Sequence, residues 1–440
     1  MNGKNPLHQL LDQLTAQGTH IINLVDSNFH DNGLVPDPDL LAREAASYFT
    51  HRRYNPDPRG SIEARRAIAR FYAREGITLH PDRILITASS SESYTLLFTQ
   101  LADPGDRLLL PLPGYPLFEE LASFAGLEPD YYPLEPDRGF RPNLSVLESL
   151  IQPTTRFILL ISPNNPTGAV LGRRDLEDIL ELGKEYGIMI IFDEVFSSFL
   201  YGDSNACDPP SPGEPLPDPT LPSLPRPLSL DTPVPSFTIN GISKLCASPD
   251  LKLSWLVVHT GGTAPAEPPQ PPGTPTPKPT QGYPEDTPLR QDDFLPLDQI
   301  LQRLETANDV YLNCSSLSQA LLPGLLAQVH QDGGITHRIV RLLQQNRETL
   351  LTTPGIDSLL PHQPQGGIHC ILAVPACQGD DEGLALDILS TLGILVHPGY
   401  LYGIDDYPAL VITLLKDPAV FKPAIESLVS YLRTLGDANK

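Results

Sequence analysis

Short apolar segments alternate with amphipathic ones over the first 260 residues, and this alternation constrains the fold more than any other feature. The predicted strands are Arg83–Thr87, Arg107–Pro111, Arg156–Ser162, Gly187–Asp193, Ser236–Gly241 and Leu253–His259. Apolar residues at three-to-four spacing predict helices at Asp39–Phe49, Ser61–Glu75, Ser91–Ala102, Pro116–Phe124 and Arg174–Tyr186. Apolar strands that alternate with helices form a mainly parallel sheet covered on both faces. We therefore predict an α/β fold whose ligands bind outside the carboxyl ends of the strands.

The last third of the chain follows a different pattern, which predicts a second and smaller lobe. The predicted elements are long helices from Leu297 to about Leu351, short strands at Ile368–Val374, Ile394–His397 and Leu410–Leu414, and a final helix near Val420–Leu435. Hydrophobic cores stop growing at about 250–300 residues, so a chain of 440 residues implies two lobes. We predict a large domain over residues 45–325 and a small discontinuous α+β domain formed by residues 1–44 with 326–440.

Proline is unusually abundant, and it is densest in two stretches of the predicted large domain. The chain has 49 prolines, concentrated in Asp203–Pro235 and Pro265–Pro288. Proline lacks a backbone donor and has a fixed φ, which excludes helix interiors and central strands. We predict that both stretches are surface insertions, extended or disordered. A binding site for proline-recognising domains is the alternative interpretation.

Charge and composition exclude several classes of partner. A formal net charge of −23 repels phosphate backbones, which argues against nucleic-acid binding. No apolar run reaches the roughly 18 residues of a membrane helix, and residues 1–18 lack an apolar signal core. The five cysteines form no Cys-x-x-Cys pair, and the histidines show no zinc-site spacing. We predict a cytoplasmic protein that binds small molecules and neither nucleic acid, membrane nor metal.

Small polar residues follow the first predicted strands. Ser89, Ser90 and Ser91 come between a strand and a helix, where hydroxyls and the positive helix end can cradle a phosphate. An ordinary serine N-cap is the alternative. Tyr115 lies in the stiff turn Pro113-Gly114-Tyr115-Pro116, where it can stack on a flat aromatic ring or lie at the surface.

Three later strand ends carry more specific chemistry. Asn165 lies in the string Pro-Asn-Asn-Pro-Thr-Gly, which makes a turn and also offers an amide donor for a phenolate oxygen. Asp193 closes a wholly apolar strand, where a buried carboxylate needs a partner such as a protonated pyridine nitrogen. A solvent-facing or helix-capping acid is the alternative. Lys244 ends the string Gly-Ile-Ser-Lys, where desolvation frees the amine as a nucleophile, although most lysines are surface charges.

Together these residues supply the groups that hold pyridoxal phosphate (PLP): a phosphate cradle, a ring stacker, an oxygen donor, a nitrogen partner and an imine-forming lysine. The strings Asn-Pro-Thr-Gly, Asp-Glu-Val-Phe and Gly-Ile-Ser-Lys, in this order, resemble the class I/II aminotransferases, which are fold type I PLP enzymes. The resemblance runs from about Asn23 to Leu435 without the two insertions. It implies a fold type I PLP-dependent transferase.

The resemblance also implies a role for each matching residue. Lys244 forms a Schiff base with the cofactor and moves the proton, Asp193 pairs with the pyridine nitrogen, and Asn165 contacts the ring oxygen. Tyr115 stacks on the ring and Val195 packs on its other face. Further cofactor-binding residues are Ser89, Ser90, Ser91, Ser243 and Lys252, and Tyr54 of the string Tyr-Asn-Pro-Asp-Pro-Arg-Gly, which reaches the phosphate of the partner subunit in a homodimer.

Three positions depart from the family pattern. Phe196 replaces a tyrosine whose hydroxyl helps to hold the ring oxygen. Lys252 replaces an arginine, so a point charge stands where a fork usually grips the phosphate. Val411 stands where an arginine usually clamps the substrate α-carboxylate, as in a bacterial subgroup that lacks this arginine. Another cation as clamp, an amino donor without a carboxylate there, and a lyase with a different substrate pose all remain open.

We therefore predict a PLP-dependent aminotransferase that moves an amino group between an amino donor and a 2-oxo acid. Fold type I also hosts other PLP chemistry, so the fold does not by itself determine the reaction. A PLP-dependent C–S lyase that performs β-elimination is one alternative. A PLP-binding protein without turnover is another.

Overall fold

The computed structural model describes residues 5–52, 54–201, 224–230, 232–260, 294–312, 314–374 and 380–438. Its first elements are α1 (Pro6–Ala16), β1 (Ile22–Asn23), α2 (Pro38–Thr50), α3 (Ile62–Arg74), β2 (Ile84–Thr87), α4 (Ser90–Leu101), β3 (Arg107–Leu112), α5 (Leu117–Ala125) and β4 (Glu128–Pro133). The next are α6 (Leu144–Ser149), β5 (Thr155–Ile161), α7 (Arg173–Tyr186), β6 (Met189–Asp193), β7 (Ser236–Gly241), α8 (Ile242–Leu245) and β8 (Ser254–His259). The last are α9 (Leu297–Val310), α10 (Ser316–Val329), α11 (Ile335–Thr352), β9 (His369–Ala373), α12 (Asp381–Leu392), β10 (Ile394–Leu395), β11 (His397–Pro398), β12 (Ala409–Thr413) and α13 (Pro418–Ala438).

Seven strands form the central sheet, in the order β2-β8-β7-β6-β5-β3-β4. Strands β3 to β7 pair in parallel, whereas β8 runs antiparallel between β2 and β7. Every residue of β6 and β7 is buried, as is usual where helices cover both faces of a sheet. The predicted α/β architecture with a mainly parallel sheet is confirmed.

The sequence pattern does not predict β4, the edge strand beside β3. Its sequence, Glu-Pro-Asp-Tyr-Tyr-Pro, buries one residue fully, Tyr132, and therefore lacks the apolar run of the inner strands. An edge strand tolerates proline because one side of its backbone has no neighbouring strand. The strand is thus specified by its pairing with β3 rather than by its own composition.

The predicted helical region after Leu297 consists of three helices, α9, α10 and α11. The predicted final helix is confirmed as α13. No helix in the described part of the chain is long and apolar enough to span a membrane.

The carboxyl-terminal strands form a second, antiparallel sheet in the order β11-β12-β9. Val411 on β12 lies opposite His397 on β11 and Ile371 on β9, and Thr413 lies opposite His369. Residues that are directly opposite, or two apart on one strand, share a face of a sheet. These five residues therefore lie on one face of the small sheet. A further short parallel pair joins β1 to β10.

Part of the first proline-rich stretch differs from the prediction of a surface insertion. The structure buries Leu224, Arg226 and Leu228, and only 4% of Arg226 is exposed. Proline content excludes helix and central strand, but it does not prevent an extended segment from packing against a core. Residues 203–223 and 231, together with Pro265–Pro288, lie outside the described residues.

Arg226 belongs to a buried polar network around Glu194, which is fully buried. The Arg226 Nε lies 2.9 Å from Oε2 of Glu194, and Arg226 also pairs with Glu75. The Tyr72 hydroxyl donates to Glu194 over 2.6 Å, and Trp255 Nε1 donates to the Tyr72 oxygen over 3.1 Å. Burial raises the pKa of Glu194, while the charge of Arg226 and the Tyr72 hydrogen bond oppose that rise. The network ties α3, β6 and β8 to the 224–230 segment.

We predict that Arg226→Ala lowers the free energy of unfolding by about 3–5 kcal/mol, because Glu194 then keeps a buried charge without its cation. Urea unfolding measures this loss. The matched control is Lys184→Ala, which breaks an exposed pair with Glu181 and changes stability by less than about 1 kcal/mol. Equal effects of the two substitutions would contradict the assignment of Arg226 as the partner that neutralises Glu194.

Candidate active site

The register of the central sheet brings the predicted site residues to one edge. Ser254, the first residue of β8, pairs with Thr87 at the end of β2 and with Gly241 at the end of β7. Asp193 pairs with Ile239 of β7 and with Ile161 at the end of β5. Neighbouring strands lie about 4.8 Å apart, so the loops after β2, β5, β6 and β7 begin within a few strand spacings of one another. This edge is the candidate active site.

The serine cluster forms the amino end of α4. The Ser89 hydroxyl caps the helix by accepting from the Glu92 backbone N–H over 3.1 Å, so the N-cap interpretation is correct for this residue. Ser90 and Ser91 are the first two helical residues, whose N–H groups have no acceptor within the helix. The Glu92 carboxylate accepts from the backbone N–H of Ala88. The amino end of α4, with its positive dipole, therefore lies directly after β2 at the site edge.

Asp193 is 6% exposed and is held by two hydrogen bonds. The Tyr94 hydroxyl donates to Oδ2 over 2.5 Å, and the Val195 N–H donates to Oδ1 over 3.0 Å. Burial raises the pKa of the Asp193 carboxyl, and these hydrogen bonds partly offset that rise. The alternative of a solvent-facing acid is wrong. Tyr94 was not among the predicted site residues, because its position in α4 looks like an ordinary core position.

Lys244 follows β7 in the short helix α8 and carries a partly buried amine. Its Nζ lies 5.8 Å from the ring centroid of Phe29. Burial lowers the pKa of Lys244, and the charge of Asp26 opposes that shift. Within the described residues the amine makes no ion pair or hydrogen bond. A lysine with a lowered pKa presents more neutral amine near pH 7, which is the nucleophilic form.

The structure separates the roles of the two adjacent asparagines. Asn164 Oδ1 accepts from the Thr167 N–H and hydroxyl over 3.2 and 2.9 Å, and thereby builds the turn. The side-chain oxygen of Asn165 is buried and has no partner among the described residues. This unpaired atom is an acceptor and needs a donor, so any contact of Asn165 with a ring oxygen has to come from its side-chain NH2 group.

The remaining predicted residues are less enclosed. Tyr115 is 45% exposed and contacts Phe118 edge to face, with ring centroids 5.9 Å apart. Tyr54 is 87% exposed. Lys252 is exposed just before β8, whereas Ser243 is partly buried beside Lys244. The structure thus gathers Ser243 and Lys252 at the edge, and it leaves the rings of Tyr54 and Tyr115 open to further contacts.

A pair of histidines on the small sheet also belongs to this region, although neither was predicted as a site residue. The charge of Lys244 acts on His369, whose pKa is lowered to about 3, mainly by burial. His397 Nδ1 lies 3.1 Å from the hydroxyl of Tyr402. Val411, between them, is 1% exposed and packs in an apolar cluster. The sequence offered one signal for these histidines: they lie close to the position of Val411, where the family pattern has an arginine.

These residues fit a small phosphorylated aromatic aldehyde. The N-terminus of α4 suits a phosphate, the amine of Lys244 suits an aldehyde, and the buried acid Asp193 suits a protonated ring nitrogen. The side-chain NH2 group of Asn165 can donate to a ring oxygen. PLP carries all four of these groups.

Residues 19–428 match the family model "Aminotransferase class I and II". The chain therefore belongs to this family, whose members depend on PLP.

The similar proteins include several aminotransferases and a lyase. The alanine aminotransferase of Mycobacterium tuberculosis (strain ATCC 25618 / H37Rv) is 28% identical over 262 residues, which cover 58% of this chain and 56% of that protein. The S-alkyl-thiohydroximate lyase of Arabidopsis thaliana is 30% identical over 201 residues, covering 46% and 40%. The chain thus spans about half the length of these curated relatives. A solved alanine aminotransferase from Pyrococcus furiosus shares the fold, with a TM-score of 0.75, 22% identity and coverage of 97% and 96%.

We predict that Lys244→Met raises the melting temperature of the cofactor-free protein at pH 7, because the substitution removes a buried charge. Because the pKa of Lys244 is lowered in the folded protein, the unfolded chain binds the lysine proton more tightly. The stability that the buried charge costs the wild-type protein therefore shrinks as the pH rises towards the ordinary lysine pKa of about 10.4. Calorimetry of both proteins at about pH 7 and about pH 9.5 measures the difference. A gain in melting temperature that does not shrink at the higher pH would contradict the buried-charge explanation.

Proposed function

We propose that this protein is a PLP-dependent aminotransferase that moves an amino group between an amino donor and a 2-oxo acid at Lys244. One observation carries the proposal. A lysine with a lowered pKa follows β7, and a buried, hydrogen-bonded carboxylate ends the neighbouring strand β6. Membership of the class I and II aminotransferase family supports the same reaction.

We assign each residue a task at the proposed site. When bound, PLP supplies an electron sink for the substrate carbon, and the protein supplies position and charge. Lys244 holds the cofactor and afterwards accepts and returns a proton at Nζ. Asp193 keeps a proton on the ring nitrogen, while Tyr94 fixes the orientation of that carboxylate. The other proposed contacts are Ser89, Ser90, Ser91, Ser243 and Lys252 to the phosphate, Asn165 to the ring oxygen, and Tyr115 and Val195 to the two ring faces.

A PLP-dependent C–S lyase is the second candidate, and the similarity to a plant S-alkyl-thiohydroximate lyase favours it. Both reactions use the same lysine and the same acid, so the substrate decides between them. A PLP-binding protein without turnover is the third. A panel of amino donors with 2-oxo acids separates the three. Spectral cycling of the cofactor indicates an aminotransferase. Release of ammonia and pyruvate from a sulfur amino acid indicates a lyase. The absence of both results indicates a protein that binds PLP without turnover.

We further propose that the chain acts as a cytoplasmic homodimer in which Tyr54 reaches the phosphate of the partner subunit. The exposed Tyr54 ring and the apolar side chains Val310 and Leu312, 77% and 84% exposed, support a partner surface. The proposed division into a large domain of residues 45–325 and a small domain of 1–44 with 326–440 places this surface on the large domain.

We predict that the purified protein with PLP is yellow and that Lys244→Ala loses the absorbance of the lysine–cofactor bond. The physical reason is that alanine has no amine to condense with the aldehyde. Visible spectra measure the change, and Lys184→Ala serves as the control because it removes an exposed lysine on α7. An unchanged spectrum in Lys244→Ala would exclude Lys244 as the attachment point.

We predict that Lys252→Ala weakens PLP binding about tenfold, since it removes a charge-assisted contact to the phosphate. Lys252→Arg is expected to preserve or improve binding, because a guanidinium adds a fork-shaped contact. Fluorescence titration of the cofactor-free proteins with PLP measures both constants. The same affinity in all three proteins would remove Lys252 from the phosphate site.

A further inference from the structure

Two imidazoles flank Val411 on the face of the small sheet that is turned to Lys244. His397 lies directly opposite Val411, and His369 lies opposite Thr413, two residues further along the same strand. Residues so placed share a face, and the diagonal neighbours His369 and Val411 lie about 7–8 Å apart. The charge of Lys244 acts on His369, which places this imidazole near the amine rather than in a remote core.

His369 has hydrogen-bonding capacity that the described chain does not use. The residue is 8% exposed, and its Nδ1 is buried without a partner among the described residues. A buried polar atom without a partner destabilises a folded chain, so most such atoms are paired.

The surroundings of His369 favour an uncharged partner. Burial and the neighbouring charges of Lys244 and His397 keep the His369 imidazole neutral, and burial also lowers the pKa of His397. The groups that face these two rings are Lys244, the Tyr402 hydroxyl and His8, which also lowers the pKa of His397. Val411 and Ile371, between and beside the rings, are apolar and buried. Burying a carboxylate here requires a permanent cation, which neutral imidazoles do not supply.

We propose that His369, with His397 beside it, binds the substrate group that faces the small sheet, and that this group is an uncharged hydrogen-bonding group. The amino substrate is then an amino-acid amide or an amino alcohol rather than a free α-amino acid. This inference rests on the proposed function, because it places the reacting amine at Lys244. It accounts for a valine at position 411, since an uncharged group needs no counter-ion there.

The test compares L-alaninamide, L-alaninol and L-alanine, which share one carbon skeleton and differ at the carboxyl carbon, and each dissociation constant is corrected for the fraction of unprotonated amine. Binding to the full-length, PLP-loaded protein is followed by the shift in melting temperature and by spectral titration at about pH 7.5. We expect apparent dissociation constants at least tenfold lower for the amide or the alcohol than for alanine. We also expect the corrected constants to stay the same between about pH 6.5 and 8, because the imidazoles remain neutral.

Substitution then assigns the preference to His369. His369→Phe keeps the ring shape but removes the nitrogens, and it is expected to weaken amide or alcohol binding about three- to tenfold while leaving alanine unchanged. His369→Asn, which keeps a hydrogen-bonding amide near the Nδ1 position, is expected to retain the preference and guards against misfolding of the phenylalanine variant. His362→Phe is the matched control, because His362 is also a partly buried histidine with an unpaired ring nitrogen but packs on Phe140.

Two outcomes overturn the inference. In the first outcome, alanine binds more tightly than the amide and the alcohol, and His369→Phe weakens that binding; the histidines then bind a carboxylate. In the second outcome, all three compounds bind equally in both proteins, which removes His369 from the substrate site. Failure of the aminotransferase proposal gives a different result. In that case no donor cycles the cofactor spectrum, yet the amide or alcohol still raises the melting temperature, and His369→Phe abolishes the rise.

Discussion

The buried carboxylate of Asp193 is the constraint on which the rest of the site depends. An acid at the end of a fully buried strand loses its hydration, so two donors, the Tyr94 hydroxyl and the Val195 N–H, compensate for part of that loss. In such a low-dielectric setting the carboxylate stabilises a nearby cation more strongly than an exposed acid does. Because β7 pairs with β6, Lys244 follows the strand next to the one that Asp193 ends.

The next residue, Glu194, is also a buried acid, but a cation rather than hydrogen-bond donors alone compensates for its lost hydration. Glu194 is fully buried and is neutralised by Arg226, a residue of the 224–230 segment that is distant in sequence. Successive residues at a strand end project to different sides, so Asp193 and Glu194 meet separate partners. The Glu194 network fixes the backbone from which Asp193 projects, and thereby links a structural ion pair to the orientation of a functional group.

The proposed substrate contacts lie on the small sheet, and family membership says least about these side chains. The family match accounts for the dependence on PLP, but the chemistry of substrate recognition belongs to individual side chains. Two neutral imidazoles, His369 and His397, flank the apolar Val411 on this sheet. A preference for an uncharged group follows from their low basicity, which burial imposes.

The amino-acid sequence by itself determined the strands β2, β3 and β5 to β8 and the positions of Asp193 and Lys244, because apolar periodicity and strand-end motifs are local patterns. It did not determine the edge strand β4, which depends on its pairing with β3. It left open whether Asp193 is buried, and it wrongly assigned Arg226 to a surface insertion. Only the tertiary structure decided those points and brought Tyr94 and His369 to the site. Tyr94 and Asp193 are 99 positions apart, and no local pattern encodes a contact that the packing of helix α4 against the sheet creates.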